Sequence, residues 1–388
     1  MATKELLTPK ANDLMAGLKD FSLKLSVSVT LGVLLLLLGE IASSVYLRFD
    51  PDPSPYAEMH LPADYARDLD ESRPQQYLPY VEWRRSPYHG RFISIDNQGV
   101  RQTLNSHCDN EKNLVVWMFG DSALWGTGST DAQTIPSQLA KLYQDGGQEI
   151  CVRNYGEAGW ISTQDVFQLI LQLKQLSRKP DIVVLYDGRN DTLLSSEGAP
   201  PSGHLGYKRF RWLLAESQSD EKPGFRFLRK TNTVRALERI STEIYVSRHP
   251  EAKPKFPPQL AKVMAQQAIE NYEQNLQIVD SLARTYGFRP FYFWYPTSTV
   301  GDKPLTPEEQ GYVSEEAAQA PKEYEVTRAA YALFQRLQRP SFEYLGDILD
   351  AQPQQLYLDV SHLTPDGNRM VAERMFQVIR TSKVSLSP

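Results

Sequence analysis

Excess positive charge is missing from this sequence of 388 residues. Its 42 lysines and arginines are outnumbered by 47 aspartates and glutamates, which gives a formal net charge of −5. A protein that binds nucleic acid as its main partner needs positive charge to neutralise phosphates, so this composition excludes that class. One basic stretch, Leu205 to Ile240, departs from the average. It is interpreted either as a solvated basic face or as a surface for anionic lipid or an anionic polymer.

Cysteine and histidine are also scarce, with two and six residues. The histidines are scattered and lack the spacing of metal ligands. The sequence therefore predicts no metal site and no cofactor. The six positions are His60, His89, His107, His204, His249 and His362.

Only one long apolar run is present, from Leu25 to Leu47. It is long enough to cross a bilayer as one helix, and the lysines before it favour an N-terminus on the cytoplasmic side. A cleaved secretory signal, cut near Ala42 to Ser44, is one alternative, and a buried core helix is another. We favour an uncleaved anchor over residues 25–48, after a cytoplasmic tail over 1–24. Glu40 is tolerable there because it lies close to the membrane interface. The lysines are Lys4, Lys10, Lys19 and Lys24.

A proline-rich spacer, "DPDPSPY" from Asp50 to Tyr56, follows the anchor. Alternating prolines favour an extended polyproline backbone, and such a spacer holds the rest of the chain off the membrane. We expect a single-pass protein of the cytoplasmic membrane whose partner is the bilayer, with residues 49–110 as linker and N-terminal segment. Residues 111–388 then form a domain that faces the periplasm or exterior, where disulfides persist.

From Asn113 onward, apolar runs of strand length alternate with amphipathic helical patterns. Runs that are apolar on both faces are typical of a parallel sheet covered on both sides. The alternation predicts an α/β fold with a doubly wound, mostly parallel sheet. Residues at about 195–260 and 297–350 do not fit the alternation and are interpreted as insertions. The runs are "NLVVWMFG" from Asn113, "EICVRNYG" from Glu149, "PDIVVLYDG" from Pro180 and "RPFYFWYP" from Arg289.

A glycine-rich turn, "GDSALWGTG", ends the first of these runs at Gly120. It lacks the lysine of a phosphate-binding loop, and Asp131 stands where a dinucleotide fingerprint needs its third glycine. A serine on a tight strand-to-helix turn remains. Ser122 there is either a nucleophile whose turn also donates an N–H to a developing oxyanion, or a plain helix cap.

A serine nucleophile needs a base, and His362 is the candidate. It follows a short apolar run in "YLDVSHLTPDGN", with Asp359 three residues before it. At that spacing a carboxylate can reach Nδ1 of the imidazole while Nε2 faces the serine. The five other histidines lie before the sheet or in or beside the basic stretch.

Four motifs in this order resemble those of the SGNH/GDSL hydrolase superfamily, over roughly Leu114 to Val378. They are "GDSALWG", "NYGEAGW", "GRND" and "DVSH". The resemblance implies the flavodoxin-like fold of that superfamily. The anchor and the "DNQGVR" that precedes the domain are similar to membrane-anchored bacterial members.

The resemblance also implies roles for single residues. Ser122 would be the nucleophile, His362 the base and Asp359 the group that orients it. The oxyanion hole would consist of the Ser122 N–H, the Gly159 N–H and the Asn190 side chain, with Gly156 as the alternative glycine. Asp121 and Asp191 would be structural.

The two cysteines lie before and at the start of the first two predicted strands. If these strands are neighbours, as in the superfamily's sheet order, Cys108 and Cys151 approach the same end of the sheet. A disulfide there would contribute on the order of 4 kcal/mol in the chain-entropy model. Two buried free thiols are the alternative.

The function implied is that of a serine esterase acting on an acyl ester, with O-acetylated carbohydrate favoured by the expected location. Trp125 and Trp160 flank the nucleophile and Gly159, and they are candidates for lining the substrate, with core packing as the other interpretation. Alternative functions are an O-acetyltransferase, a lipid esterase, or a non-catalytic subunit of a membrane assembly with protein partners.

Overall fold

The computed structural model describes residues 9–49, 56, 59, 61–198, 200, 203–208, 210–211, 231–237, 240 and 256–382. Lys4, nearly all of the proline spacer and most of the basic stretch lie outside these residues, and so do His60 and His249. The chain forms two compact units. One comprises Met1–Pro53 and Leu214–Glu251, and the other comprises Ser54–Leu213 and Ala252–Pro388.

The first unit contains one long helix, α1, over Pro9–Phe49. Its segment Met15–Arg48 is long and apolar enough to cross a membrane, with a hydropathy of 2.2 and none of the apolar window buried. The helix begins before the apolar run because the preceding residues also favour helix, and Asp20 and Lys24 form an ion pair one turn apart.

Glu40, the acidic residue inside the apolar run, has partners in the same unit. Its carboxylate accepts hydrogen bonds from the backbone N–H of Asn232 at 2.7 Å and from the N–H and hydroxyl of Thr233 at 3.0 Å. Residues 232–237 are helical. Glu40 therefore caps the first turn of that segment, which satisfies N–H groups that a helix start leaves open.

The second unit begins with small elements before the main sheet. Helix α2 spans Ala63–Glu71, strands β1 (Gln75–Leu78) and β2 (Glu82–Arg85) form an antiparallel hairpin, and β3 (Tyr88–His89) pairs with β4 (Ser94–Ile95). The stretch from Arg91 to Arg101 contains the short strand β4 followed by a turn.

The main sheet has five parallel strands in the order β6-β5-β7-β8-β9. This confirms the predicted α/β fold and its four apolar strands. The strands are β5 (Leu114–Gly120), β6 (Ile150–Asn154), β7 (Ile182–Asp187), β8 (Arg289–Trp294) and β9 (Phe342–Tyr344). The chain runs outward from β5 in both directions, so the edge between β5 and its neighbours is a topological switch point, where α/β sheets bind ligands.

Helices cover both faces of this sheet, as a doubly wound fold requires. The helices are α3 (Ser122–Trp125), α4 (Ile135–Asp145), α5 (Ser162–Gln175), α6 (Arg189–Glu197), α7 (Pro258–Tyr286), α8 (Pro307–Gln319), α9 (Pro321–Phe334) and α10 (Pro365–Thr381). Alternate residues of β5 point to opposite faces of the sheet. Val116 therefore packs with α4 and α10 on one face, and Trp117 packs with α5, α7 and α9 on the other.

The segment at 297–350, expected to be an insertion, is part of the domain. It contains α8, α9 and the edge strand β9. Ala330 and Phe334 of α9 are fully buried in the core cluster on one face of the sheet. The alternation was not recognisable in the sequence because β9 is only three residues long and carries Glu343 at its centre.

Cys108 and Cys151 form a disulfide that joins the segment before β5 to β6. The predicted pairing is confirmed, and for the predicted reason. Strands β5 and β6 are parallel neighbours, with Val115 opposite Cys151.

Candidate active site

The turn after β5 holds Ser122 at the start of a helix. Asp121 precedes it as the helix cap, and its carboxylate accepts hydrogen bonds from Ala123 N–H at 2.8 Å and from the Tyr295 hydroxyl at 2.6 Å. A Cβ atom at Gly120 would lie 2.3 Å from the Tyr186 carbonyl oxygen, so only glycine fits there. The motif residues thus build a tight strand-to-helix turn at the carboxyl end of β5.

His362 and Asp359 come from the C-terminal part of the domain's sequence and lie beside Ser122. The hydroxyl oxygen of Ser122 lies 2.8 Å from His362 Nε2, and His362 Nδ1 lies 2.6 Å from an Asp359 oxygen. The other Asp359 oxygen accepts hydrogen bonds from the backbone N–H groups of Ser361 and His362, each at 2.7 Å. Three side chains separated by up to 240 positions therefore form one hydrogen-bonded chain.

The charges within this chain suit a base. Burial alone would raise the pKa of Asp359, but the charge of His362 and the hydrogen bonds from His362 and Ser361 lower it well below its usual range. Burial alone would lower the pKa of His362, but the Asp359 carboxylate more than offsets this and raises it. His362 can therefore take a proton from Ser122 and hold it beside a carboxylate that stays ionised.

The backbone N–H groups of Ser122 and of the two candidate glycines, Gly156 and Gly159, differ in whether they have a protein acceptor. Within the described part of the chain, the N–H groups of Ser122 and Gly159 donate to no protein acceptor. Both residues are partly exposed, and an N–H group without a protein acceptor can donate to a ligand. The N–H of Gly156, by contrast, donates to the Asn154 side chain at 3.1 Å, which favours Gly159 as the donor.

Asn190, the third donor predicted from the sequence, lies in the first turn of α6. One N–H of its side-chain amide donates to the Trp160 carbonyl oxygen at 2.9 Å, which fixes the amide beside the Gly159 turn. The second N–H has no acceptor among the described residues. A side-chain amide held in this way can donate to an oxyanion without first having to be ordered.

Four aspartates are buried in and around this turn. Asp121 and Asp191 each accept hydrogen bonds from neighbouring groups. Burial raises the pKa of Asp121 to about 6 and that of Asp191 to about 7. Asp191 accepts hydrogen bonds from the N–H and hydroxyl of Ser162. Burial also raises the pKa of Asp165 and of Asp187 well above the usual range.

Trp125 and Trp160 do not line a substrate site, which corrects the first of the two interpretations of these residues. Both rings are 0% exposed. The guanidinium groups of Arg85 and Arg101 lie 3.8 and 4.2 Å from the centre of the Trp125 ring, and the Arg84 guanidinium lies 5.0 Å from that of Trp160. Arginines from the N-terminal segment cover both rings, and the sequence pattern gave no sign of these partners.

Trp83 is the aromatic residue that the sequence analysis missed. It lies on β2, is partly exposed, and donates its ring N–H to the Ala158 carbonyl oxygen at 2.9 Å. No motif marks it, and it falls in a segment that is distinguished only by its tyrosine, proline and arginine content.

Among the histidines other than His362, His204 packs against the Trp83 ring. No group of three or more potential metal ligands occurs within the described residues.

Comparisons with known proteins complete the description of the site. No family model matches the chain, and no curated protein matches it. Solved structures that match are GDSL/SGNH hydrolases, among them lipolytic proteins, esterases and acetylxylan esterases. One is a member of the lipolytic protein G-D-S-L family from Veillonella parvula DSM 2008, with 12% identity over 69% of this chain and 100% of that chain and a TM-score of 0.34.

Two further matches are esterases. The psychrotrophic esterase EstA from Pseudoalteromonas sp. has 12% identity over 69% of this chain and 97% of that chain, with a TM-score of 0.35. Axe2, an acetylxylan esterase from Geobacillus stearothermophilus, has 13% identity over 72% of this chain and 100% of that chain, with a TM-score of 0.34. All three TM-scores lie below 0.5, so the case for a function comes from the geometry of this chain's own residues.

Proposed function

We propose that the chain is a membrane-anchored serine esterase of the SGNH type that hydrolyses an acyl ester, of the O-acetyl kind, on carbohydrate outside the cytoplasm. The observation that carries the proposal is the hydrogen-bonded chain from Ser122 through His362 to Asp359. A serine hydrolase uses a nucleophile, a base and a carboxylate that orients the base, hydrogen-bonded in that order.

In the first half of the reaction, the Ser122 oxygen attacks the acyl carbon of the ester. His362 Nε2 accepts the serine proton, and the acyl oxygen becomes an oxyanion. The N–H groups of Ser122 and Gly159 and the free N–H of Asn190 donate to that oxygen. The bond from the acyl carbon to the alcohol oxygen then breaks. His362 returns its proton to the departing alcohol, and the acyl group stays on Ser122.

In the second half, water replaces the alcohol. His362 Nε2 accepts a proton from water, and the water oxygen attacks the acyl carbon. The same three donors bind the second oxyanion. The bond to the Ser122 oxygen breaks, that oxygen regains its proton from His362, and the carboxylic acid leaves. Asp359 stays ionised throughout and stabilises the imidazolium.

Two features support the proposed location. The helix segment Met15–Arg48 is long and apolar enough to anchor the chain, and four lysines precede its apolar run, Leu25 to Leu47. The Cys108–Cys151 disulfide is of a kind that persists in oxidising compartments and is rare in the cytosol. Together they favour a domain on the outer face of the cytoplasmic membrane.

Labelling with a charged fluorophosphonate that does not cross membranes tests both the chemistry and the location. Intact spheroplasts that carry the full chain should be labelled, and the Ser122→Ala variant should not be. Ser281→Ala, which alters an exposed serine on α7, is the matched control and should be labelled like the wild type. Purified wild type should also hydrolyse p-nitrophenyl acetate, and Ser122→Ala should lose nearly all of that activity.

The outcomes separate the parts of the proposal. Label that persists in Ser122→Ala would contradict the assignment of the nucleophile. Label that appears only after detergent lysis would place the domain on the cytoplasmic side and overturn the proposed location. Absence of label in both preparations would contradict the esterase itself.

A further inference from the structure

Trp83 borders the turn that carries Gly159. Its ring N–H holds the Ala158 carbonyl oxygen at 2.9 Å. A Cβ atom placed on Gly159 would lie 3.4 Å from a carbon of the Trp83 ring, Cζ2. Part of the ring is exposed, so an aromatic surface lies beside a proposed oxyanion donor.

Other aromatic rings extend this surface. Phe210 lies parallel to Trp83, with 6.2 Å between ring centres and 16° between planes. The His204 ring stands edge-on to both, 5.6 Å from Trp83 and 4.8 Å from Phe210. Phe210 is 38% exposed, although large apolar side chains are normally buried. We refer to Trp83, His204 and Phe210 as the aromatic platform.

Tyrosines on the same hairpin continue beyond the platform. Tyr77 of β1 is directly opposite Trp83 in the strand pairing, so the two side chains are on the same face of the hairpin. Tyr77 is 75% exposed, and Tyr80 in the connecting turn is 68% exposed. The exposed aromatic surface therefore extends beyond the space that a single small ring would cover.

Polar groups are mixed with these rings. Glu82, next to Trp83 in β2, accepts a hydrogen bond from the Gln164 side chain at 3.0 Å. Its partial burial raises its pKa, and His204 partly offsets this rise. A carboxyl group and an imidazole beside flat aromatic faces offer hydrogen-bond partners to hydroxyl groups.

We propose that the aromatic platform binds a sugar ring of a polysaccharide and presents the ester next to that ring to Ser122, an inference that rests on the proposed esterase function. A pyranose has apolar C–H faces and a rim of hydroxyls, which match aromatic faces with polar groups between them. An acyl chain would require an enclosed apolar channel instead. The tyrosines beyond the platform match further rings of a polymer.

Variants of Trp83 test this inference on two kinds of ester. The test substrates are acetylated xylo-, manno- and chito-hexasaccharides, and p-nitrophenyl acetate is the ester without a sugar. In Trp83→Ala, kcat/KM should fall roughly tenfold on the hexasaccharide that the wild type hydrolyses best, mainly through KM. On p-nitrophenyl acetate the loss should be much smaller and no larger than that of Trp83→Phe, which also lacks the ring N–H to Ala158. Trp83→Phe keeps an aromatic face and should recover most of the loss.

Tyr286→Ala is the matched control, because Tyr286 is an exposed aromatic residue at the end of α7, just before β8 begins, whereas Ser122 follows the carboxyl end of β5. It should leave both substrates unaffected. Equal losses on both substrates in Trp83→Ala would overturn the inference, since Trp83 would then only support the Gly159 turn through its N–H. An unchanged kcat/KM on the hexasaccharide would overturn it as well, and so would a wild type that hydrolyses p-nitrophenyl acetate but none of the three hexasaccharides.

Binding without catalysis separates this inference from the proposed function. Ser122→Ala should bind one of the corresponding unacetylated hexasaccharides in isothermal titration calorimetry, and adding Trp83→Ala should weaken that binding roughly tenfold. Sugar binding in a protein whose Ser122 takes no fluorophosphonate label would contradict the proposed esterase function and still support sugar binding by the aromatic platform. A reactive Ser122 in a protein that binds no hexasaccharide would do the opposite.

Discussion

Two sets of aspartates in this domain differ in how they carry charge. Asp359, at the surface of the site, has about a fifth of its side chain exposed, and four hydrogen bonds reach its carboxylate, all from Ser361 and His362. Asp165 and Asp187 lie beneath the sheet edge and are almost fully buried. Among the described residues, no N–H or O–H group of a side chain or backbone reaches either Asp165 oxygen.

The difference shows that the supply of donors decides the charge. The pKa of Asp359 is lowered, so this side chain is a carboxylate at neutral pH. Burial raises the pKa values of Asp165 and Asp187, and the charges of neighbouring aspartates raise them further, which favours the protonated form. The same residue type therefore holds a negative charge beside an imidazole at one place and favours a proton at the other.

Asp359→Asn should give the largest effect. An amide N–H would face His362 Nδ1, which forces the proton of the neutral imidazole onto Nε2, and Nε2 then cannot accept the Ser122 proton. We expect kcat on p-nitrophenyl acetate to fall by ~10⁴. Near-ultraviolet circular dichroism should be unchanged.

Asp366→Asn is the matched control for this variant, since Asp366 lies in the first turn of α10 with its side chain 76% exposed. It should retain wild-type activity. If Asp359→Asn stays within tenfold of the wild type, Asp359 does not orient the base, and the contrast between the two sets of aspartates has no catalytic meaning.

Asp187→Asn should change the pH dependence of stability and leave the activity within a few-fold. Because burial raises the pKa values of Asp165 and Asp187, the folded chain binds more protons than the unfolded chain above about pH 4, and stability falls as the pH rises. An asparagine removes one titrating group and donates an N–H to Asp165, which lowers the pKa of the remaining carboxyl.

The measurement is the midpoint of thermal unfolding in detergent at pH 5 and pH 8. The wild type should lose more stability over this interval than the variant, by about 3 °C or more. The raised pKa of His362 contributes equally to both proteins and cancels in the comparison. Parallel loss in the two proteins would show that the pair is already ionised at pH 5.

Asp121→Asn should give the smallest effect. The Asp121 charge helps to raise the pKa of His362, after the larger contribution of Asp359. Because only neutral His362 can act as the base, kcat/KM falls as the pH drops through that raised pKa. Removing the charge should move this acid limb to lower pH by roughly half a unit. A limb that does not move, or that moves to higher pH, would show that Asp121 exerts no such field on His362.

Patterns in the sequence predict the parts of this domain that local chemistry determines. Apolar runs of strand length identified β5 to β8, because residues buried on both faces must be apolar along their whole length. The turn at Ser122 was recognisable from its glycines. The pairing of Cys108 with Cys151 could be inferred once β5 and β6 were taken as neighbours.

Features that depend on distant partners were not recognisable. Trp125 and Trp160 flank the proposed site in sequence, but arginines some 24 to 76 positions away cover their rings. Trp83 has no motif, and its place beside Gly159 follows from the packing of a hairpin that comes before the sheet. Side-chain contacts between segments far apart in sequence leave no periodicity for a pattern to detect.

The hydrogen bond between Ser122 and His362 joins residues that are 240 positions apart, so the ribosome makes them at different times. At roughly 5–20 residues per second, a ribosome needs roughly 10 to 50 seconds to go from the serine codon to the histidine codon. During that interval the nascent chain carries its proposed nucleophile without its base. On the proposed mechanism, the chain has no activity through most of its own synthesis and gains it only when the segment just before α10 has been made.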